Sequence, residues 1–365
     1  MDLLSLSRRG FLVTASALTT AAISTAAEPP ATARRRGIPL GFDNFAVRGM
    51  QWNARQLIDH ADTLRCDSLF ITDFGPFGGR HDDASLAEIR RYAADRGIVI
   101  ALGSWSICPT AKQFKPDWGT AEEHLALGLR MARALGSPAF RVILGNHADR
   151  LSAGGIDARI ADTVKVLQSQ RSLAIDSGVK IAVENHAGDM QSRELERLVE
   201  AAGSDFVGVN FDSGNACWTL EDPVEALARL APHVLTTSLR DTMLWDSADG
   251  ITSQWTAMGE GCTDLPAFFD LHARSCPGVT AHIETISGFQ RSFPIYTPDF
   301  WNSYPDARAA DLAAFLRLAK KGRRIEPFTP PAGDGKREAE QAYQIAELDR
   351  SIRHCRDVLG LGVRV

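Results

Sequence analysis

The chain has 365 residues, of which 44% are hydrophobic and 23% are charged, and its formal net charge is -5. These fractions are ordinary for a globular protein and exclude disorder, collagen-like repeats and a coiled coil, and the mild acidity argues against nucleic acid as a partner. Six cysteines are dispersed without a C-x-x-C pair, which excludes a disulfide scaffold and a thiolate zinc site.

The first 27 residues have the pattern of an export signal. Arg8 and Arg9 precede a phenylalanine and a leucine, a weakly apolar stretch runs from residue 11 to residue 23, and small residues follow. This pattern is typical of a signal peptide, and paired arginines indicate the twin-arginine route. The apolar part is shorter than the roughly 20 residues that span a bilayer. We therefore predict a periplasmic mature protein that has no membrane contact once residues 1–27 are removed.

Eight apolar or β-branched runs recur along the rest of the chain, each followed by a loop and then by a helical pattern. The runs are 38–42, 68–72, 98–102, 140–144, 180–183, 207–211, 234–238 and 279–283. Strands that alternate with helices pair in parallel. Eight such units favour a single (β/α)8 TIM barrel over an open doubly wound sheet, and no G-x-G-x-x-G follows the first run.

The last segment is predicted to be a linker and a helix. Residues 326–335 read EPFTPPAGDG, which is typical of a linker, and an apolar stripe at helical spacing follows. We expect this helix to pack against the outside of the barrel. The alternative is that its apolar stripe forms the interface of a homo-oligomer. The predicted organisation is a signal peptide at 1–27, a barrel at 37–325, a linker at 326–335 and a C-terminal helix at 336–365.

Ionisable residues stand where several of the apolar runs end, which is where TIM barrels carry their active sites. Residues two apart share a face of a strand, so three pairs are expected to point into the barrel mouth. The pairs are Glu184 with His186, Asn210 with Asp212, and His282 with Glu284. Three converging carboxylates repel one another unless a cation neutralises them, and carboxylate ligation suits Mg or Mn better than zinc. An ion pair with a barrel Arg or Lys is the alternative for each acid.

The motifs VENH, NFDSGN, TSLRD and HIET at successive strand ends, with MGEG between the last two, resemble the xylose isomerase-like TIM-barrel superfamily of sugar isomerases and epimerases. The resemblance covers the predicted mature chain to about Lys321. It implies one divalent metal held by a Glu, an Asp, a His and a Glu from strands 5 to 8. Glu184, Asp212 and Glu284 match three of these ligands, but Ser238 stands in place of the histidine. Either the metal would be bound more weakly, or His186, His282 or Asp241 would complete the shell.

The resemblance also implies a reaction and its residues. Glu184 and Glu284 would act as base and acid on a carbon next to a carbonyl, while the metal stabilises the enediolate charge. His186 is a candidate to orient a hydroxyl or to act as a second acid or base, and a hydrogen-bonded rim histidine is its alternative. The candidate substrate-binding residues are Asn146, His147, Asn215, Trp218 and Arg240.

These observations support three functions of different kinds. The leading hypothesis is a divalent-metal-dependent isomerase or epimerase of an unphosphorylated sugar or sugar derivative, because sugar phosphates are mainly cytoplasmic. A lyase or dehydratase that eliminates from a 3-keto sugar or glycoside is the second, since His186 would supply a proton donor for the leaving oxygen. The third is a non-catalytic periplasmic sugar binder, for which Ser238 would mark a lost metal site. A metal nuclease would need more histidine ligands and a basic groove.

Overall fold

The computed structural model describes residues 35–286 and 288–364, and the predicted signal peptide lies outside them. Eight parallel strands form its central sheet. They are β1 Leu40–Asp43, β2 Ser68–Ile71, β3 Val99–Ser106, β4 Ala139–Ile143, β5 Lys180–Glu184, β6 Val207–Asp212, β7 Val234–Ser238 and β10 Ala281–Ile283. Their order in the sheet is β10-β1-β2-β3-β4-β5-β6-β7. Leu239 bridges to Ile283 and so joins β7 to β10. The predicted TIM barrel is confirmed.

Helices surround the sheet and supply the outer layer of the core. They are α1 Ala54–Thr63, α2 Asp83–Ala94, α3 Ala121–Leu135, α4 Gly155–Ser169, α5 Arg171–Ser177, α6 Ser192–Ala202, α7 Ser213–Trp218, α8 Pro223–Leu230, α9 Leu265–Ser275, α10 Ala309–Ala319 and α11 Lys336–Asp357. A capping box between Thr120 and Glu123 begins α3, and Gly136 ends it at a φ of 72°. Gly128 lets α3 approach the sheet, since a Cβ there would lie 2.0 Å from the Phe140 ring. Sequence-encoded caps and one small residue therefore fix how this helix packs.

A second, antiparallel sheet stands beside the barrel and was not predicted. Its strands are β8 Asp241–Ser247, β9 Gly250–Thr256 and β11 Gln290–Phe293, in the order β11-β9-β8. β8 and β9 form a hairpin directly after β7, and β11 follows β10. Because these segments follow the carboxyl ends of two barrel strands, the small sheet lies on the side of the barrel where the candidate site is expected.

α11 packs on the barrel and contacts the loop that follows β1. Leu348, Ile352 and Cys355 are buried in the main core. Gln344 accepts a hydrogen bond from the backbone N–H of Gly49 at 2.9 Å and so joins the helix to the 3-10 helix Asn44–Met50. The stripe predicted on this helix thus faces the barrel. Within the described ranges, no helix combines the length and the apolar character needed to cross a membrane.

Candidate active site

Four buried acids stand at the carboxyl ends of the barrel strands. They are Asp43 at the end of β1, Glu184 at the end of β5, Asp212 at the end of β6 and Glu284 just after β10. Even Glu284, the most exposed, shows only 6% of its surface to solvent. The carboxyl ends of parallel strands meet at one mouth of a barrel. The structure thus brings together Glu184, Asp212 and Glu284, as predicted, and adds Asp43.

Arg141, in β4, holds the Glu184 carboxylate. Its Nε donates to Glu184 Oε2 at 2.5 Å, and its Nη1 donates to the carbonyl oxygen of Ser104 at 2.7 Å. The two charged side chains are 5% and 1% exposed. Gly103 on the neighbouring strand makes room for the arginine, because a Cβ there would lie 3.1 Å from Arg141 Cβ. The ion pair is therefore buried inside the barrel, where a glycine leaves the space that the arginine occupies.

Arg240 joins the other two carboxylates. It lies two residues after Ser238 and is 2% exposed. Its Nη2 donates both to Asp212 Oδ2 and to Glu284 Oε2. The Trp255 ring covers the guanidinium, with the Arg240 Cζ 4.3 Å from the ring centroid. One guanidinium thus bridges two acids from different strands in a site shielded from water.

Amides and a hydroxyl complete the polar network. Asn210 Nδ2 donates to Glu184 Oε2 at 2.7 Å and to Ser238 Oγ at 3.2 Å. The Ser238 hydroxyl in turn donates to Asp43 Oδ2 at 3.3 Å. Asn215 Nδ2 lies 3.4 Å from Glu184 Oε1 and donates to it. The carboxylates are therefore held by side chains from several strands, with Glu184 receiving donors from three residues.

The environments of the carboxylates push their pKa values apart. Burial opposes ionisation of Glu184, but the attraction and hydrogen bond of Arg141 together with the attraction of His186 and Arg240 outweigh it, so the pKa of Glu184 lies below its ordinary value. Burial raises the pKa of Glu284 to about 8 against the attraction of Arg240, and burial also raises the pKa of Asp212 well above its ordinary value. Two carboxyl groups of opposite protonation state are what proton transfer in both directions requires.

His186 lies beside the network and faces a backbone oxygen. Its Nδ1 is 2.7 Å from the carbonyl oxygen of Gly145, and its ring is 5.6 Å from that of Trp105. Burial lowers the pKa of His186 to about 4. Asp189 Oδ1 accepts a hydrogen bond from the His186 backbone N–H at 2.8 Å and fixes the loop. A carbonyl oxygen only accepts, so Nδ1 carries the proton and Nε2 of the neutral ring is an acceptor.

The predicted substrate-binding residues divide into two groups. Asn215 and Arg240 belong to the carboxylate network described above. The Asn146 side chain accepts from a backbone N–H and caps the 3-10 helix that begins at His147. Trp218 stacks on Trp255, with ring centroids 4.1 Å apart and an angle of 15° between the planes. The His147 backbone N–H donates to the carbonyl oxygen of Ala187 at 3.0 Å. The structure assigns local contacts to Asn146, His147 and Trp218, and their contact with substrate stays a prediction.

His282 and Asp241 do not join the carboxylates. His282 Nε2 lies 2.8 Å from Ser68 Oγ, and its ring packs on Phe70 at 5.1 Å. One residue pair along a strand advances about 6.6 Å, so His282 lies one layer deeper in the barrel than Glu284. The Asp241 carboxylate accepts from backbone N–H groups, among them that of Gly261 at 2.9 Å. The expectation that His282 points into the mouth is therefore wrong, because a shared face does not mean a shared layer.

Three residues at the site were not among the predicted catalytic, substrate-binding or metal-binding residues. Asp43 follows the first apolar run directly, which was a usable signal. Arg141 is a charge inside an apolar run, so that it had to be paired. Asp189 ends the VENHAGD segment, yet only the folded loop shows that its carboxylate holds the His186 backbone.

The match to a family model places this barrel among known ones. A model of the xylose isomerase-like TIM barrel matches residues 68–288, which is more than half of the chain. The chain belongs to the xylose isomerase-like TIM barrel family. A curated relative of the chain is the uncharacterized protein YihM of Escherichia coli (strain K12), which is 28% identical over 125 residues. That match spans 34% of this chain and 37% of YihM, well under two thirds of either protein.

Solved structures with the same fold include enzymes that act on sugars. D-psicose 3-epimerase in the presence of D-fructose has a TM-score of 0.57 at 14% identity, over 88% of this chain and 100% of that one. The IolI protein with a bound zinc atom gives 0.53 and 15%, over 78% and 96%. The probable 3-DHS dehydratase AsbF of Bacillus anthracis gives 0.51 and 12%, over 67% and 92%. At these identities the likeness establishes the fold alone.

The IolI structure shows that a barrel of this fold holds a divalent metal in at least one protein. The donor set of the present chain does not fit one. Within residues 35–286 and 288–364, no three His, Cys, Asp or Glu side chains are grouped so as to hold a metal ion. Arg240 stands between Asp212 and Glu284, and Ser238 takes the place of an imidazole. Mn or Mg at this site stays a prediction that the positions of these side chains oppose.

Proposed function

We propose that the chain is an exported enzyme that moves a proton at a carbon next to the carbonyl of an unphosphorylated sugar or sugar derivative, and so acts as an isomerase or epimerase. The observation that carries this proposal is the convergence of Glu184 and Glu284 at the barrel mouth, each paired with a buried arginine. The family match and the fold shared with D-psicose 3-epimerase support it.

The roles of the residues follow from their contacts. Glu184 is fixed by Arg141, Asn210 and Asn215, which makes it a positioned base for a carbon-bound proton. Glu284 is the group that returns a proton. Removal of the proton places negative charge on the carbonyl oxygen, and guanidinium donors in a dry site stabilise such charge strongly. The predicted Mn or Mg enters no step of this scheme, because Arg240 already bridges two of the three ligands.

His186 bears on the choice between isomerisation and elimination. Elimination needs a donor for the leaving oxygen, and the sequence predicted His186 for that task. With Nδ1 turned to the Gly145 carbonyl, the neutral ring offers Nε2 as an acceptor. The contact therefore favours proton transfer without loss of a leaving group, and the lyase is an outcome of the test below.

Solvent exchange tests the proposal. The mature chain is incubated in deuterated water with unphosphorylated ketoses, aldoses and 3-keto glycosides, and the products are analysed by NMR and mass spectrometry. We expect deuterium at a single carbon, and its loss in Glu184→Gln, while Glu225→Gln at an exposed ion pair keeps it. Unsaturated products would identify a lyase. Sugar binding without exchange at any carbon would identify a binder and contradict the proposal.

A further inference from the structure

Arg240 is built into the site from several sides. Its backbone N–H donates to Ser213 Oγ at 3.0 Å, and the Ser213 hydroxyl donates back to the Arg240 carbonyl at 2.6 Å. Gly214 leaves room for the side chain, because a Cβ there would lie 2.5 Å from Arg240 Cγ. Trp255 covers the guanidinium from the other side. The arginine is thus held in place by α7 and β9.

The guanidinium uses the same oxygen atoms that a cation would need. Its Nη2 contacts Asp212 Oδ2 and Glu284 Oε2, which belong to two of the three carboxylates that the family resemblance assigns to the metal. A guanidinium does not lose its proton in proteins, so its charge is permanent. A divalent ion between these oxygens would face that charge at contact distance. The arginine and a metal therefore exclude each other.

The remaining ligand position offers no imidazole. Ser238 Oγ donates to Asp43 and accepts from Asn210, so its hydroxyl is already engaged. His282 lies one layer deeper, and within the described ranges His186 is not grouped with two other ligand side chains so as to hold a metal ion. This chain thus combines two features: Ser238 stands where the family resemblance implies a histidine, and the Arg240 side chain lies between Asp212 and Glu284.

Two donors of Arg240 are left for a ligand. Nε and Nη1 are buried and have no hydrogen-bond partner among the described residues. Buried donors without partners are costly and mark a position where a bound group supplies the acceptor. Each of these N–H groups can donate to a separate oxygen atom of a bound substrate.

We propose that Arg240 fills the position of the divalent cation, so that this barrel binds and polarises the substrate oxygens with guanidinium donors and works without a metal. The inference deepens the proposed function by naming the group that balances the charge. Because its main test measures metal binding, it can fail or succeed independently of the reaction.

Mn²⁺ binding followed by electron paramagnetic resonance is the test. Free Mn²⁺ is titrated with the mature wild type, with Arg240→Lys as the charge-matched control, and with Arg240→Ala combined with Ser238→His. We expect no binding at the site in wild type and in Arg240→Lys. The double variant should bind Mn²⁺ at least about a hundredfold more tightly than wild type, since it frees two buried carboxylates and adds an imidazole. Unfolding temperatures without Mn²⁺ show which variants fold.

One stoichiometric Mn²⁺ in wild type that is lost in Glu284→Gln would overturn the inference, even if the double variant does not fold. Wild type without bound Mn²⁺ supports it. In a second arm, the deuterium exchange of the wild type is measured before and after extensive chelation, and unchanged exchange is expected. Exchange abolished by chelation and restored by Mn²⁺ would refute the metal-free site while leaving the proposed reaction intact. Absence of exchange under every condition would refute the reaction and leave the metal result standing.

Discussion

Replacement of Arg141 by methionine is expected to leave the buried Glu184 carboxylate without its ion-pair partner. A single 2.5 Å hydrogen bond joins Arg141 to Glu184, whose side chain is 1% exposed. Removal of one partner of a buried ion pair costs about 3–5 kcal/mol. Glu184 keeps its bond from Asn210, and at pH 7 it can also take up a proton at a cost of about 3 kcal/mol from its ordinary pKa of 4.5. We therefore expect a loss of about 3 kcal/mol in the free energy of unfolding at pH 7.

A second substitution separates the charge from the packing. Glu184→Gln in the Arg141→Met background removes the unpaired carboxylate charge and keeps a side-chain oxygen that accepts from Asn210. The double variant should lose about 1 kcal/mol, so the two single losses together should exceed it by at least about 2 kcal/mol. Urea denaturation followed by tryptophan fluorescence on the chain without residues 1–27 measures these values.

An exposed ion pair provides the matched control. Arg197 and Asp157 lie 2.9 Å apart, and their side chains are 54% and 68% exposed. Arg197→Met should cost less than about 1 kcal/mol, because solvent screens such pairs. If Arg141→Met costs no more than this control, or if the losses of the two single variants simply add, the buried pair does not stabilise the barrel mouth and the reasoning is refuted.

Three further predictions concern other parts of the chain. Burial lowers the pKa of His272 to about 4, so the folded state resists its protonation and stability falls as pH drops from 6.5 towards 4. Between pH 7 and pH 4, wild type should lose about 3 kcal/mol more than His272→Leu in urea denaturation, and parallel pH curves would contradict this. Trp218→Leu should raise KM for the sugar about tenfold with little change in kcat, if its ring contacts the substrate, and an unchanged KM would restrict Trp218 to loop packing. Replacement of Arg8 and Arg9 by lysine should keep the protein in the cytoplasm on cell fractionation, whereas continued export would exclude the twin-arginine route.

Much of the barrel follows from local sequence. Each of the eight central strands is a short apolar run next to a helical pattern, and both signals lie within a few residues of each other. The β8–β9 hairpin is also local, with Ala248 and Asp249 at its turn, although it was not predicted. β11, by contrast, pairs with β9 across the whole segment that holds α9 and β10. Pairing over such a distance leaves no local pattern to read.

The positions of the acidic residues in the site could be predicted from the sequence, but the arginines that neutralise them could not. Glu184, Asp212 and Glu284 each follow an apolar run, so their convergence followed from strand order. The contacts of Arg240 span 28 and 44 residues of sequence, and they depend on how the side chain turns after β7. The alternative for each acid was an ion pair with a barrel Arg or Lys, and the structure shows an arginine paired with all three.

A crystal structure of the mature chain grown with excess Mn²⁺ tests most directly whether arginines hold the carboxylates at the barrel mouth. Anomalous diffraction locates manganese independently of the side chains. We predict guanidinium density between Asp212 and Glu284 and no anomalous peak beside these oxygens. A manganese peak bonded to Glu184, Asp212 and Glu284, with Arg240 turned away, would contradict the proposed metal-free site.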